Sequence, residues 1–162
     1  MQSPPGDRGG RESSPPGALR TPPGTCDLLV LLAELRHYTL KIDRRCKLFF
    51  AQRKPVPFTS PAEIETCFGE IETYLAPIPR KRYVLLVDTR SAPLRNDPGF
   101  EALLETHRGK LLFGFAKNAA LARTAAGRLQ IERFARSDSR RVFVTREPAE
   151  AFEFLGIPKH EL

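Results

Sequence analysis

Two aspartates and two arginines stand close together near the middle of the chain and are its best candidates for chemistry. Asp88 ends an apolar run, Asp97 follows nine residues later, and Arg90 and Arg95 lie between them. In open α/β folds, ligands gather at the carboxyl ends of strands. This group could therefore bind an anion or a nucleotide. The alternative is a solvated loop in which the acids and the arginines neutralise one another.

No pattern typical of catalysis accompanies this group. An activated nucleophile needs a partner base, and no histidine, cysteine or lysine stands near these aspartates in the sequence. A glycine-rich phosphate loop is also missing, because Gly99 and Gly109 are isolated. The sequence therefore predicts a protein that is not an enzyme and that uses no cofactor or metal.

Strand-like and helix-like segments alternate in the second half of the chain and would position these residues. The run from Tyr83 to Val87 is apolar without alternation, which is typical of a strand covered on both faces. Ser60 and Asp97 are predicted N-caps, each followed by proline at the first helical position. The predicted strands are 82–88, 119–123 and 141–145. Two predicted helices begin at Pro61 and Pro98, and two more are predicted at 125–135 and 148–155.

The first half of the folded part is predicted to contain an antiparallel hairpin. Tyr38–Ile42 alternates in polarity, a polar turn follows, and Lys47–Arg53 reads as the second strand. The apolar run Leu28–Leu35 fits either a strand or a short helix, because short apolar runs do not distinguish the two.

This order of elements predicts an α/β fold with a mixed sheet of about four to six strands covered by about four helices. Residues 1–25 repeat Pro-Pro-Gly and contain few apolar residues, so we expect a disordered tail. Residues 26–162 are expected to form a single domain.

The length, net charge and cysteine content of the chain predict a soluble protein of the cytoplasm. The chain has 162 residues with a formal net charge of +7, no apolar run long enough to span a membrane, and no segment resembling a signal peptide. The three cysteines contain no CxxC pair, which argues against a disulfide framework and a zinc site. The histidines, which show no metal-ligand spacing, are expected at the surface or in caps: His37, His107 and His160.

Three local features together resemble the STAS domain, the fold of bacterial anti-anti-sigma factors, and related myxobacterial-type STAS-like proteins. The strand Val84–Asp88 is followed nine residues on by Asp97 at a helix start. A second strand, 119–123, leads directly into a helix from Thr124, and strand 142–145 precedes a closing helix at 147–155. The resemblance implies a bacterial regulatory domain that acts through protein–protein contact.

The resemblance also implies a site at the helix start, where phospho-regulated members carry an Asp-Ser-Ser/Thr-Gly motif whose hydroxyl is phosphorylated. This chain reads Asn96-Asp97-Pro98-Gly99, so the phosphorylatable serine is missing. Asp97 either mimics the charge of a phosphorylated residue or only caps the helix. The implied partner, a kinase or an anti-sigma-like protein, would contact Asp88, Arg90, Arg95, Asn96 and Asp97.

A basic region between Lys110 and Arg141 supports an alternative function. It holds most of the excess positive charge of the chain, and such a surface attracts anionic partners. Under this alternative, Arg123, Arg128 and Arg136 would bind a lipid headgroup, a nucleotide or nucleic acid. A basic face that only keeps the protein soluble explains the same pattern.

Overall fold

A computed structural model of the chain describes residues 28–93, 97–137 and 141–162. Arg95, Asn96 and the predicted tail 1–25 lie outside these ranges. The described residues form one six-stranded mixed sheet with four α-helices, which confirms the predicted α/β fold class. The strands are β1 Val30–Glu34, β2 Tyr38–Asp43, β3 Leu48–Arg53, β4 Val84–Asp88, β5 Lys117–Leu121 and β6 Val142–Thr145. The helices are α1 Pro61–Leu75, α2 Pro98–Leu112, α3 Ala125–Ser137 and α4 Pro148–Leu155, with a 3₁₀ turn at Arg80–Arg82.

The strands lie in the sheet in chain order. Strands β1, β2 and β3 pair antiparallel, and β3 to β6 pair parallel. The predicted hairpin is confirmed as β2 and β3, and the ambiguous run 28–35 contains strand β1. Strands β3 and β4 occupy the centre of the sheet, which explains why their sequences are apolar without alternation.

The predicted helix starts are confirmed by their caps. The Ser60 hydroxyl accepts the Glu63 N–H, and the Asp97 carboxylate accepts the N–H groups of Gly99 and Phe100. Glu63, in the first turn of α1, accepts the N–H of Thr59, the residue before this cap. Helix α2 contains Gly109 and continues to Leu112.

Helices cover both faces of the sheet. What we call the first face carries Leu85 and Val87 of β4, and α1 and α2 pack against it. The second face carries Phe50 of β3 and Leu86 of β4, and α4 packs against it through Phe152. Within α4, Ala151 is buried whereas Ala149 is exposed.

Three expectations about cysteine and histidine are wrong. His37 and His160 are buried, at 3% and 8% exposure, and do not lie at the surface. Cys46 is disulfide-bonded, whereas Cys67 is a free, buried thiol. Within the described ranges, no helix combines the length and apolar character needed to cross a membrane.

The packing of α4 yields a stability prediction. Phe152→Ala should lower the free energy of unfolding by about 3–5 kcal/mol, because it leaves a cavity against the second face. Urea denaturation of the variant and the wild type measures this difference. Glu153→Ala, at an exposed position of the same helix, should change stability by less than about 0.5 kcal/mol. Equal losses in both variants would contradict the packing described here.

Candidate ligand-binding site

A cavity of about 130 Å³ lies where β4 and β5 end, between the first face of the sheet and helices α2 and α3. Val87 and Ala120 form its floor, and they are register partners on adjacent parallel strands. Leu111 of α2 and Ile131 of α3 form apolar walls. The cavity therefore occupies the end of the sheet at which α/β folds bind ligands.

A second cavity, of about 280 Å³, adjoins the first. Both are lined by Ala92, Pro93, Glu101 and Arg108, so they are neighbouring compartments on either side of these residues. The second compartment is bounded by the end of β3 and the first turns of α2. Its further lining is mainly apolar, with one arginine: Arg53, Pro57, Phe58, Phe100 and Leu104.

Arg53 is a buried cation in the wall of the second compartment, with 6% exposure. Its guanidinium donates to the carbonyls of His37, Lys54 and Val56 at 2.7–3.0 Å. It also stacks over Phe58, with 4.5 Å between the guanidinium carbon and the ring centre. Burial lowers the pKa of Arg53, and Tyr38 and Cys67 oppose this shift. Carbonyl dipoles fix this guanidinium without neutralising its charge.

Arg90 of the first compartment is held by an ion pair with Asp88. Its Nε and Nη2 donate to the two carboxylate oxygens at 2.9 and 2.8 Å, and its backbone N–H also donates to the same carboxylate. The Asp88 side chain is 4% exposed and that of Arg90 is 34% exposed. The hydrogen bond with Asp88 raises the pKa of Arg90. Asp88 therefore positions Arg90, and the partly exposed guanidinium is the group that faces the cavity.

Polar contacts join the elements around the first compartment. Glu101 of α2 accepts a hydrogen bond of 2.6 Å from Gln130 of α3, which bridges the two helices. Thr89 donates its N–H and its hydroxyl to the Leu121 carbonyl, which extends the pairing of β4 and β5. Thr124 caps α3 by accepting the N–H of Gly127. These bonds preorganise the cavity walls.

The structure separates the residues of the two predicted sites. Asp97 is exposed and caps α2, and Asp88 is buried in its ion pair, so the two carboxylates have separate local roles. Of the basic residues proposed for anion binding, Arg123 lines the first compartment. Arg128 instead forms an exposed ion pair with Glu132. The side chain of Arg136 lies outside the described residues.

Arg53, Glu101 and Arg108 were not predicted as site residues from the sequence. Arg53 ends a predicted strand, and the other two follow a predicted helix cap, so local patterns assigned them structural roles only. Their convergence depends on the pairing of β3 with β4 and on the packing of α2.

Positive charge dominates the two compartments. Arginines 53, 90, 108 and 123 line them, and Glu101 is the acidic residue among the described lining residues. Apolar side chains supply most of the remaining surface. An anionic group attached to an apolar or aromatic body matches this combination, since an anion is favoured by the arginines and an apolar body by the walls.

Comparison with protein-family models, with curated proteins and with solved structures finds no match to this chain. The resemblance to the STAS domain therefore stays a prediction from the sequence.

Arg90 pairs with a buried carboxylate and Arg128 with an exposed one, so removing them should change stability by different amounts. Arg90→Ala should lower the free energy of unfolding by about 1.5–3 kcal/mol, because it leaves the buried Asp88 carboxylate without its charged partner. Arg128→Ala removes an exposed pair between residues four apart on a helix and should cost less than about 0.5 kcal/mol. Chemical denaturation measures both. A loss for Arg90→Ala no larger than that for Arg128→Ala would contradict the structural role of the Asp88 pair.

Proposed function

We propose that this domain is a non-enzymatic binding module that captures a small anionic ligand in the two compartments on the first face. The observation that carries this proposal is the convergence of Arg53, Arg90, Arg108 and Arg123 on two adjoining, partly apolar compartments. A cation that is buried or held by a fixed partner is already in position, so binding an anion requires little reorganisation free energy. The cavity is therefore suited to hold an anion.

Binding without catalysis agrees with the composition of the lining. The described lining residues include threonines, arginines and one glutamate, but no histidine, cysteine or lysine. Glu101, the candidate general base, is engaged by Gln130. Such a set can recognise a ligand, whereas nucleophilic catalysis needs an activated nucleophile beside its base.

The size and walls of the compartments favour a small amphipathic acid over nucleic acid. Volumes of about 130 and 280 Å³ suit a compact aromatic or short aliphatic body. Recognition of nucleic acid instead requires a row of surface cations that meets successive phosphates. A carboxylate, sulfonate or phosphate group on a small apolar body is the ligand chemistry we favour.

A fluorescent aromatic sulfonate, anilinonaphthalene sulfonate, tests this proposal. We expect it to bind the folded full-length chain with enhanced fluorescence. The double variant Arg108→Gln/Arg123→Gln should weaken binding by about tenfold or more, because a hydrogen bond to a charged group contributes about 1.5–3 kcal/mol. Fluorescence titration at low and physiological salt measures the affinity.

Arg128→Gln is the matched control, because it removes an arginine of α3 that does not line either compartment. This variant should bind the probe as the wild type does. Circular dichroism verifies that each variant is folded, since this dye also binds partly unfolded proteins. Equal weakening by the control, or no weakening by the double variant, would refute the cavity as the site.

A regulatory protein-interaction domain, the function implied by the STAS resemblance, is our second proposal. The observation that favours it is the exposure of Asp97, Pro98 and Gly99 at the start of α2, which leaves this turn accessible to a partner. The carboxylate of Asp97 would then serve both as the helix cap and as the charge that a kinase-like or anti-sigma-like protein recognises. A cytoplasmic location also stays a prediction, and the disulfide at Cys46 argues against it, because thiols are kept reduced in the cytosol.

Asp97→Asn tests the second proposal while keeping a good N-cap. We expect this change of charge to reduce the capture of a specific, salt-resistant regulatory protein from the lysate of the source cells severalfold, with stability nearly unchanged. Mass spectrometry of the captured proteins provides the measurement. Asp97→Lys should have the same effect on capture and additionally destabilise the domain by about 0.5–2 kcal/mol through loss of the cap. Unchanged capture in both variants would exclude this surface.

A further inference from the structure

The phenol of Tyr38 brings an uncharged hydrogen-bonding group to the wall of the first compartment. Tyr38 begins β2, is 3% exposed and lines this compartment. Because β2 runs antiparallel to β3, its first residue lies beside the last residue of β3, and Tyr38 pairs in register with Arg53. Tyr38 therefore lies at the side of the first compartment that adjoins Arg53 of the second.

Two neighbours fix the ring of Tyr38 before any ligand arrives. Phe68 of α1 meets it edge to face, with 6.0 Å between the ring centres and 63° between the ring planes. The guanidinium carbon of Arg53 lies 5.5 Å from the centre of the Tyr38 ring, and a cation is attracted to such a ring. A side chain held in this way loses little conformational entropy when it binds a ligand.

The hydroxyl of Tyr38 has no hydrogen-bond partner among the residues that the structure describes. In the same ranges, the unpartnered side-chain atoms that the protein encloses fully are Nε2 of His37 and Oδ1 of Asn118. The Tyr38 oxygen is not one of them, so it opens onto the cavity that its side chain lines. Buried phenols usually find a partner within the protein. This one is oriented toward a space in which a ligand can supply the partner.

The Tyr38 hydroxyl is a hydrogen-bond donor at neutral pH. Burial raises the pKa of Tyr38, and the positive charges of Arg108 and Arg53 oppose this shift only in part. The phenol therefore keeps its proton and does not neutralise the nearby arginines. Arg108 lines both compartments. A carboxylate or sulfonate carries enough lone pairs to accept hydrogen bonds from a phenol and a guanidinium at once.

We infer that the Tyr38 hydroxyl is a specificity-determining donor that, together with Arg108, holds the anionic oxygens of the ligand where the two compartments adjoin. This inference rests on the proposed function and adds the position of the anion to it. The ligand is then an oxyacid whose charged group lies against Tyr38 and whose apolar body lies along the walls. Arginines supply the attraction to charge, and the phenol selects an oxygen acceptor at one fixed point.

Two fluorescent probes with the same aromatic body test this inference on the full-length chain. One is anilinonaphthalene sulfonate, and the other is N-phenylnaphthylamine, which has the same rings but no sulfonate. Tyr38→Phe removes one oxygen atom and keeps the ring contacts. Fluorescence titration of this variant should show an affinity for the sulfonate about tenfold or more below that of the wild type, because hydrogen bonds to charged groups are among the stronger ones. The affinity for the uncharged probe should not change.

Tyr83→Phe is the matched control, because Tyr83 is a tyrosine of the same core with 4% exposure that lines neither compartment. This variant should bind both probes as the wild type does. Urea denaturation provides a second readout. The midpoint of Tyr38→Phe should be no lower than that of the wild type, because its hydroxyl bonds to no described residue and so stabilises no contact within the protein.

The outcomes separate this inference from the proposed function. If Arg108→Gln/Arg123→Gln weakens binding of the sulfonate but Tyr38→Phe does not, the role of Tyr38 is overturned and the cavity remains the binding site. Equal weakening of both probes by Tyr38→Phe also overturns it, because the hydroxyl would then act through the shape of the cavity. If neither set of substitutions weakens binding of the sulfonate, the proposed function and this inference both fail.

Discussion

The parallel pairing of β3, β4 and β5 is the constraint on which the rest of the structure depends. It aligns Ala51, Val87 and Ala120 side by side on the first face of the sheet. Because successive parallel strands advance in one direction, right-handed connections place α1, α2 and α3 on the same face. The loops that follow β4 and β5 then meet at one edge, and the cavity forms where the small side chain of Ala120 leaves space beneath α2 and α3.

Burial and pairing give the arginines of this domain different roles. Arg53 is fixed by three carbonyl groups and an aromatic ring, and Arg90 by a buried carboxylate. Arg128 is exposed and paired with a neighbour on its own helix, where solvent screens the interaction. Rigid cations beside an apolar wall can discriminate among small anions, whereas a screened surface pair contributes mainly to solubility. Our proposal therefore assigns anion binding to the cavity, whereas net charge alone would assign it to the whole basic surface.

Local sequence patterns were sufficient to predict the helices and strands of the fold, but not the residues that form the sites. The caps at Ser60 and Asp97 depend on neighbouring residues, so sequence predicts where α1 and α2 begin. By contrast, the cavity combines a strand end with positions deep inside α2, and Asp43 meets His160 across 117 residues of sequence. Only sheet register and packing bring residues so far apart in the sequence into contact. The same limitation explains why buried histidines were expected at the surface.

Nuclear magnetic resonance tests the central claim most directly. Amide proton–nitrogen spectra of the full-length chain, recorded with increasing anilinonaphthalene sulfonate, locate bound ligand by the signals that shift. Our account predicts saturable shifts that cluster in the loop after β4, the middle of α2 and the first turns of α3. Shifts spread along the basic surface around Arg128, or confined to the second face of the sheet, would contradict it.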